Sequence, residues 1–171
     1  GMQVEMIDLS RDYWVHVFEP ALGQWSAGTT PNPDVECNKF IKFGALMDRV
    51  VPKSLIPPTW LATGHYARIA PRVEHTQIYP VVRRAADPMK DQSFFLSSVS
   101  SSRLDRSLFP LGDMHKSDVR SLARSLALPT CEKSESMGLC FGGERGSRAH
   151  AFARFLDQYV ANEAGAFVTP E

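Results

Sequence analysis

Two side chains able to do chemistry stand close together in the stretch TTPNPDVECNKFIKFG, residues 29–44: the carboxylate of Asp34 and the thiol of Cys37. Pro31 and Pro33 fix their own φ angles and push the residues before them toward extended conformations, so the backbone approaching Asp34 is stiff. Beyond Asp34 the pattern turns helical, with Phe40, Phe43 and Met47 recurring at helical spacing and Ile41 and Leu46 beside them. Asp34 is a favourable N-cap, which predicts a helix starting just after it and puts Cys37 in the first turn. A thiol there meets unpaired backbone N–H groups and the positive end of the helix dipole, both of which favour the thiolate. Two readings stay open: a rigid loop delivering a carboxylate and an activatable thiol to one helix start, or a capped helix holding a small apolar cysteine.

Three further places carry reactive or ligand-binding types. Trp60 to Thr63 reads as a buried strand running into Gly64 and His65. In open α/β sheets ligands gather beyond the carboxyl ends of strands, and a glycine lets them approach the backbone. Lys90-Asp91-Gln92 precedes the apolar Phe94-Phe95-Leu96, so Asp91 can cap a helix and Lys90 can face phosphate or solvent. Cys140 lies between glycines in ESMGLCFGG, where a thiol is either presented or simply buried.

The chain holds three cysteines, Cys37, Cys131 and Cys140, an odd number that argues against a secreted disulfide framework. They form no CxxC pair, and no HxxxH accompanies them, so a zinc site fails on spacing. A hydrolase with Cys37 as nucleophile and His65 as base is one remaining possibility. A redox pair of Cys37 and Cys140, one thiol attacking sulfur held by the other, is a second. Cys131, between Pro129 and Glu132, reads as structural.

The elements that must position these groups follow from periodicity. Val4, Met6 and Leu9 fit a strand. Ser10 can cap a helix whose apolar face is Trp14, Val17, Phe18, Ala21, Leu22 and Trp25, with Pro20 breaking or kinking it near Glu19. Pro52, Pro57 and Pro58 mark a loop. Tyr66 to Ile69 and Gln77 to Arg84 read as antiparallel strands around a loop at 71–76. Leu108 to Gly112 reads as a turn-rich linker. Val119, Leu122, Ala123 and Leu126 form the inner face of a helix ended by Pro129, flanked by Arg103, Arg106, Lys116, Arg120 and Arg124 as a mixed solvated face or a phosphate contact. Phe152, Phe155, Leu156 and Tyr159 mark a last helix, and Gly165 to Thr169 begins a strand. At 171 residues, 43% hydrophobic and 22% charged, the chain has the composition of a globular domain with a real core. A net charge of +0 gives no whole-molecule case for nucleic-acid binding. No apolar run is long enough to span a membrane. The opening Gly1-Met2 reads as an expression scar, and the chain as a piece of something longer.

Taken together, TPNPDVECNKFIKFG, ATGHYARI, KDQSFFL, LFPLG and ESMGLCFGGER resemble one family, the tRNA-specific 2-thiouridylases, in family order and over nearly the whole chain. The resemblance implies an α/β, adenine-nucleotide α-hydrolase-like (Rossmann-like) three-layer domain, with a β-hairpin and a C-terminal helical part. It implies that ATP, with Mg²⁺, adenylates the C2 oxygen of the wobble uridine, that a persulfide carried by a cysteine supplies sulfur to C2, and that AMP leaves. The expected partners are tRNA of the Lys, Glu and Gln types and a sulfur-donor protein. By the same resemblance Cys37 is the nucleophile, and Cys140 carries the persulfide and can pair with Cys37 as a disulfide. Asp34 is the acid/base group, and Asn32-Pro33-Asp34 faces the target base. Gly64 contacts ATP, His65 contacts tRNA, and Lys90-Asp91-Gln92 form a tRNA-contacting segment.

The sequence departs from that family in lacking the Ser-Gly-Gly-Val-Asp-Ser phosphate-binding run and the downstream barrel domains. Residues 1–160 are therefore expected to be the later part of the catalytic domain, lacking its N-terminal part and unable to adenylate tRNA alone. Residues 161–171 would start a truncated central β domain. Phe141-Gly142-Gly143 has glycine where members carry a large aliphatic residue. The ESMG form resembles the mitochondrial branch, so a mitochondrial location is expected, with the bacterial cytoplasm as the alternative. A non-catalytic tRNA-binding module on the same scaffold is the alternative function.

Overall fold

The computed structural model describes residues 3–51, 58–133 and 148–160. It is an α/β arrangement in which helices pack around short strands. Residues 3–9 form no strand, and Val4 and Met6 are 90% and 96% exposed. An alternating apolar run becomes a strand only against a neighbouring edge, and no described strand lies alongside it. The first helix runs as α1 (Ser10–Tyr13), a π-helical stretch Trp14–Phe18, and α2 (Glu19–Ser26). The N-cap position is Leu9, not Ser10, and the Asp8 carboxylate accepts the Ser10 N–H at 2.9 Å.

Pro20 does not break this helix, whose backbone stays helical at Phe18 and Glu19. The proline ring would strike the carbonyl four residues back, and the wider π turn just before it shifts that carbonyl's bonding register by one residue. The expected face is largely buried through Val17, Phe18 and Ala21. Helix α7 (Arg148–Leu156) and Tyr159 close over it, with Phe18–Phe155 rings 5.4 Å apart and Trp25–Phe152 rings 5.6 Å apart.

The second helix is α3 (Pro33–Glu36), a π-helical stretch Cys37–Leu46, and α4 (Met47–Val50). It kinks at Gly44, where a Cβ would lie 2.9 Å from the Lys39 carbonyl oxygen, so the close approach requires glycine. Phe43 and Met47 enter the main core with Ala67, Leu96, Val99 and Leu104. Ile41 and Cys37 face the other way, joining Val17 with Leu9, Tyr13 and Phe40 around them.

Strands β1 (Leu61–Ala62) and β4 (Ser107–Leu108) pair in parallel. The antiparallel hairpin is longer than the sequence predicts: β2 (Ala67–Glu74) pairs with β3 (Gln77–Arg84) through a two-residue turn, not a loop at 71–76. Pro71 lies opposite Pro80, and His75 takes the turn's left-handed conformation at φ 54°. Residues 108–112 are no linker. Phe109 packs on the core, and a Cβ on Gly112 would meet the Ala67 carbonyl oxygen at 2.0 Å.

Helix α6 (Lys116–Ser125) forms as predicted, yet its apolar face is not buried among the described residues, with Leu122 and Leu126 exposed. Its flanking cations are mostly engaged internally: α5 (Ser101–Leu104) places Arg103 against Asp48, Arg106 donates to the Thr59 carbonyl, and Arg124 pairs with Glu132. That favours the mixed-face reading over a phosphate contact. The loop marked by Pro52 and Pro57, the Glu135–Gly143 stretch, and the 165–169 strand with the domain start at 161–171 lie outside the described residues.

Candidate functional site

The N-cap of α3 is Asn32, not Asp34. Its backbone is extended, and its Oδ1 accepts from the N–H groups of Asp34 at 3.2 Å and Val35 at 3.3 Å. Pro33 occupies the first helical position, where a missing N–H costs nothing. Cys37 therefore sits a full turn inside the helix rather than at its open end. The N–H groups of Val35 and Glu36 reach the Asn32 carbonyl, and that of Cys37 reaches Asp34 and Pro33. The predicted activation of the thiol by unpaired N–H groups is thus absent. Cys37 is 5% exposed, covered by Leu9, Tyr13 and Phe40.

Asp34 is half-buried, and burial lifts its carboxyl above the ordinary carboxylate range, with the Lys42 ammonium pulling the other way. One turn on, Asn38 is 2% exposed and donates its Nδ2 to the Asp34 carbonyl at 2.9 Å. Its Oδ1 is buried without a hydrogen-bond partner. Asp34, Asn38 and Lys42 thus follow one another at four-residue steps, forming a polar stripe along the helix. The sequence reading passed over Asn38 and Lys42. Their spacing from Asp34 was the available signal, hidden among the aromatic residues between them.

The end of β1 leads to the same helix. Gly64 is exposed, its φ is not positive, and a Cβ there would meet nothing closer than Leu111 Cδ1 at 3.9 Å. Neither packing nor backbone geometry demands glycine there. His65 is 8% exposed and packed between Phe43 and Phe109, each ring centroid 5.7 Å away. Thr63 Oγ1 lies 2.7 Å from its Nδ1. Burial, reinforced by Lys42, pushes the His65 pKa down to about 4, so the imidazole is neutral at physiological pH. Cys37 and His65 belong to different packing clusters on different sides of the helix, which removes the support for a Cys37–His65 hydrolase.

The Lys90–Gln92 segment is tied in beside them. Gln92 exchanges two bonds with Tyr66: its N–H donates to the Tyr66 carbonyl at 2.8 Å, and its Oε1 accepts the Tyr66 N–H at 3.0 Å. Asp91 accepts from the N–H of Ala85, and from the N–H and hydroxyl of Ser93, which opens the 3₁₀ turn Ser93–Leu96. Burial would raise the Asp91 carboxyl, but these bonds outweigh it and hold it below its usual range. That turn lies against α3. The segments of Asn32–Asp34, Gly64–His65 and Lys90–Gln92 therefore surround one helix, with Asp91 and Gln92 committed to holding the loops. Cys140 lies outside the described residues, and so does its pairing with Cys37. Among the described residues no group of His, Cys, Asp or Glu could hold a metal, and no helix is long and apolar enough to cross a membrane.

Residues 1–144 match the family model described as "tRNA methyl transferase HUP domain". The chain belongs to this family. Its fold is accordingly the adenine-nucleotide α-hydrolase-like type, with parallel strands and helices. Over 169 residues, 99% of the chain, it is 40% identical to the mitochondrial tRNA-specific 2-thiouridylase 1 of Saccharomyces cerevisiae, covering 40% of that protein. It is 41% identical to the tRNA-specific 2-thiouridylase MnmA of Streptococcus pyogenes serotype M2, covering 42% of it. The chain thus spans about two fifths of the length of the curated relatives it matches.

Proposed function

We propose that the chain supplies the later part of the catalytic domain of a tRNA 2-thiouridylase, which transfers persulfide sulfur to C2 of the wobble uridine with ATP as the activating substrate. The observation that carries this reading is the half-buried Asp34 carboxyl, held protonated to higher pH than an ordinary carboxyl, one turn before Cys37 and within the field of Lys42, whose charge also reaches His65. A tunable acid one helical turn from a cysteine suits proton transfer coupled to sulfur chemistry. Relatives named as 2-thiouridylases, mitochondrial and bacterial, match over 99% of the chain.

When bound, ATP with Mg²⁺ supplies the adenylyl group that makes the C2 oxygen a leaving group. Gly64 leaves room for the nucleotide, and the Asn32 clamp on the first turn of α3 fixes where Asp34 stands against the base. Asp34 takes and returns the proton beside the reacting base. Cys37 is the nucleophile and Cys140 the persulfide carrier. Leu9, Tyr13 and Phe40 must give way for sulfur to reach Cys37. Lys90 brings the positive charge of its segment toward tRNA, while Asp91 and Gln92 hold the loops. His65, buried and neutral, supports the pocket wall facing tRNA. The substrates are tRNAs of the Lys, Glu and Gln types, a sulfur-donor protein feeds Cys140, and the setting is mitochondrial or bacterial.

The test is a chimera in which this chain replaces the matching segment of the Streptococcus pyogenes relative. With ATP, a persulfide donor and tRNA, 2-thiouridine should appear in digested tRNA and vanish with Cys37→Ser or Asp34→Asn. A folded chimera that makes none, or one indifferent to Cys37→Ser, refutes the reading. The chain alone, having no Ser-Gly-Gly-Val-Asp-Ser run, should make no product.

A further inference from the structure

A cavity of about 430 Å³ lies between the Trp14–Phe18 turn, the Cys37–Leu46 helix and the loop at 98–103. Of its lining residues only Phe40, which also packs on the Cys37 cluster, has a part in the roles assigned above. Its volume is that of a small-ligand site. His16 and Phe40 line it and stack on each other, with centroids 5.6 Å apart and planes 26° from parallel. Lys39 Nζ lies 4.5 Å from the Phe40 centroid. Phe40 is therefore engaged by both neighbours, and the imidazole, stacked on one face, is exposed and lines the cavity.

The charges are unequal in availability. The two carboxylates on the wall are already spent: Asp12 pairs with Arg49 at 3.0 Å, and Asp48 takes both guanidinium nitrogens of Arg103. Lys39 makes no ion pair among the described residues and is exposed. Ser98 and Ser100 add hydroxyls to the rim. A flat platform, a cation without an ion-pair partner among the described residues and neighbouring hydroxyls in one small cavity match a nucleotide's needs: a surface for the base and a charge for the phosphate.

We propose that this cavity seats one nucleotide of single-stranded RNA, its base on the outer face of His16 and its phosphate at Lys39. The proposal rests on the RNA-substrate reading above and deepens it. Phe40 follows Cys37 by three residues and packs on the cluster that holds it, so this wall of the cavity lies within one helical turn of that thiol. A nucleotide held there flanks the target base, and it bears weight in a chain whose net charge of +0 supplies no general attraction for RNA.

The experiment uses fluorescence anisotropy with a labelled anticodon stem-loop, on the wild-type chain and on His16→Ala, Lys39→Ala, Lys39→Arg and, as control, Arg72→Ala. His16 and Lys39 are both exposed, and matching urea midpoints would confirm that the variants fold. His16→Ala should weaken binding about tenfold. Lys39→Ala should weaken it and cut the salt slope by about one, with Lys39→Arg restoring it. The His16 ring resonances should move on adding stem-loop. Binding by the wild type that neither variant diminishes overturns the cavity assignment alone. No binding by the wild type overturns the RNA reading and this proposal with it. His16 resonances that move with free UMP but not with the stem-loop overturn the RNA source and leave a free-nucleotide site.

Discussion

The His65 environment makes a quantitative claim about stability. The imidazole is neutral in the folded protein down to about pH 4, whereas an unfolded histidine protonates near 6.5. As pH falls through 6.5 the unfolded chain takes up a proton that the folded chain refuses, so stability is lost on acidification. The slope is about 1.4 kcal/mol per pH unit and flattens near pH 4, a total of about 3 kcal/mol. Little solvent screening reduces this, because the side chain is packed between Phe43 and Phe109. Against a domain stability of about 5–15 kcal/mol the loss is large.

Urea unfolding should be followed from pH 7.5 to pH 4 on the wild type and on His65→Phe. The phenyl ring keeps the packing on Phe43 and Phe109 and removes the titration, with loss of the Thr63 contact as a constant offset. Asp34 contributes with the opposite sign, since its raised carboxyl pKa favours the folded state as pH falls toward 4, but that term is common to both proteins. The difference between the two curves should therefore grow by about 3 kcal/mol over this window. Curves that stay parallel, or an imidazole resonance titrating near 6.5 in the folded chain, would refute the buried neutral histidine.

Gly112→Ala should cost more than about 3 kcal/mol in a urea unfolding experiment, because its Cβ meets a backbone oxygen at 2.0 Å. Gly64→Ala should stay within about 0.5 kcal/mol of wild type by the same measurement, yet weaken ATP binding in the chimera by calorimetry. Asn38→Leu removes one hydrogen bond together with an unpartnered buried oxygen, so unfolding should show a change below about 1 kcal/mol, while Asn38→Asp should cost about 3 kcal/mol or more.

The helix faces were legible because each carries a full apolar stripe: Val17, Phe18 and Ala21 are buried where their spacing put them, and Phe43 and Met47 likewise. The cap was legible too, and misread. Asn32-Pro33-Asp34 offers two capping side chains, and a proline favours the first helical position, which makes the residue before it the cap. Other features depend on distant chain. Asp87, far from α6 in sequence, accepts the Lys116 N–H at its start, and nothing in the local pattern of either segment announces it. Val4 and Met6 alternate like a strand, but pairing is a property of the neighbour, which a periodicity cannot supply. The π turns around Pro20 and Gly44 are likewise invisible to a period of 3.6 residues.

Three aspartates in this fold separate structure from function on physical grounds. Asp87 accepts the N–H of Lys116 and of Met89, and these bonds hold its carboxyl below the ordinary range. Asp91 does the same with Ala85 and Ser93, overcoming burial that works against it. Each stabilises the loop it joins, and each is ionised whenever the protein is folded at neutral pH. Asp34 is built the other way. Its backbone N–H and carbonyl are bonded to Asn32 and Asn38, yet no hydrogen bond from a described residue reaches its carboxylate, and burial raises its affinity for a proton. A backbone fixed at both ends carries a half-buried acid whose ionised form the fold disfavours. That difference is what the proposed function draws on: of these three aspartates, Asp34 is the one whose carboxyl is shifted toward the protonated form, and it lies one turn before a cysteine.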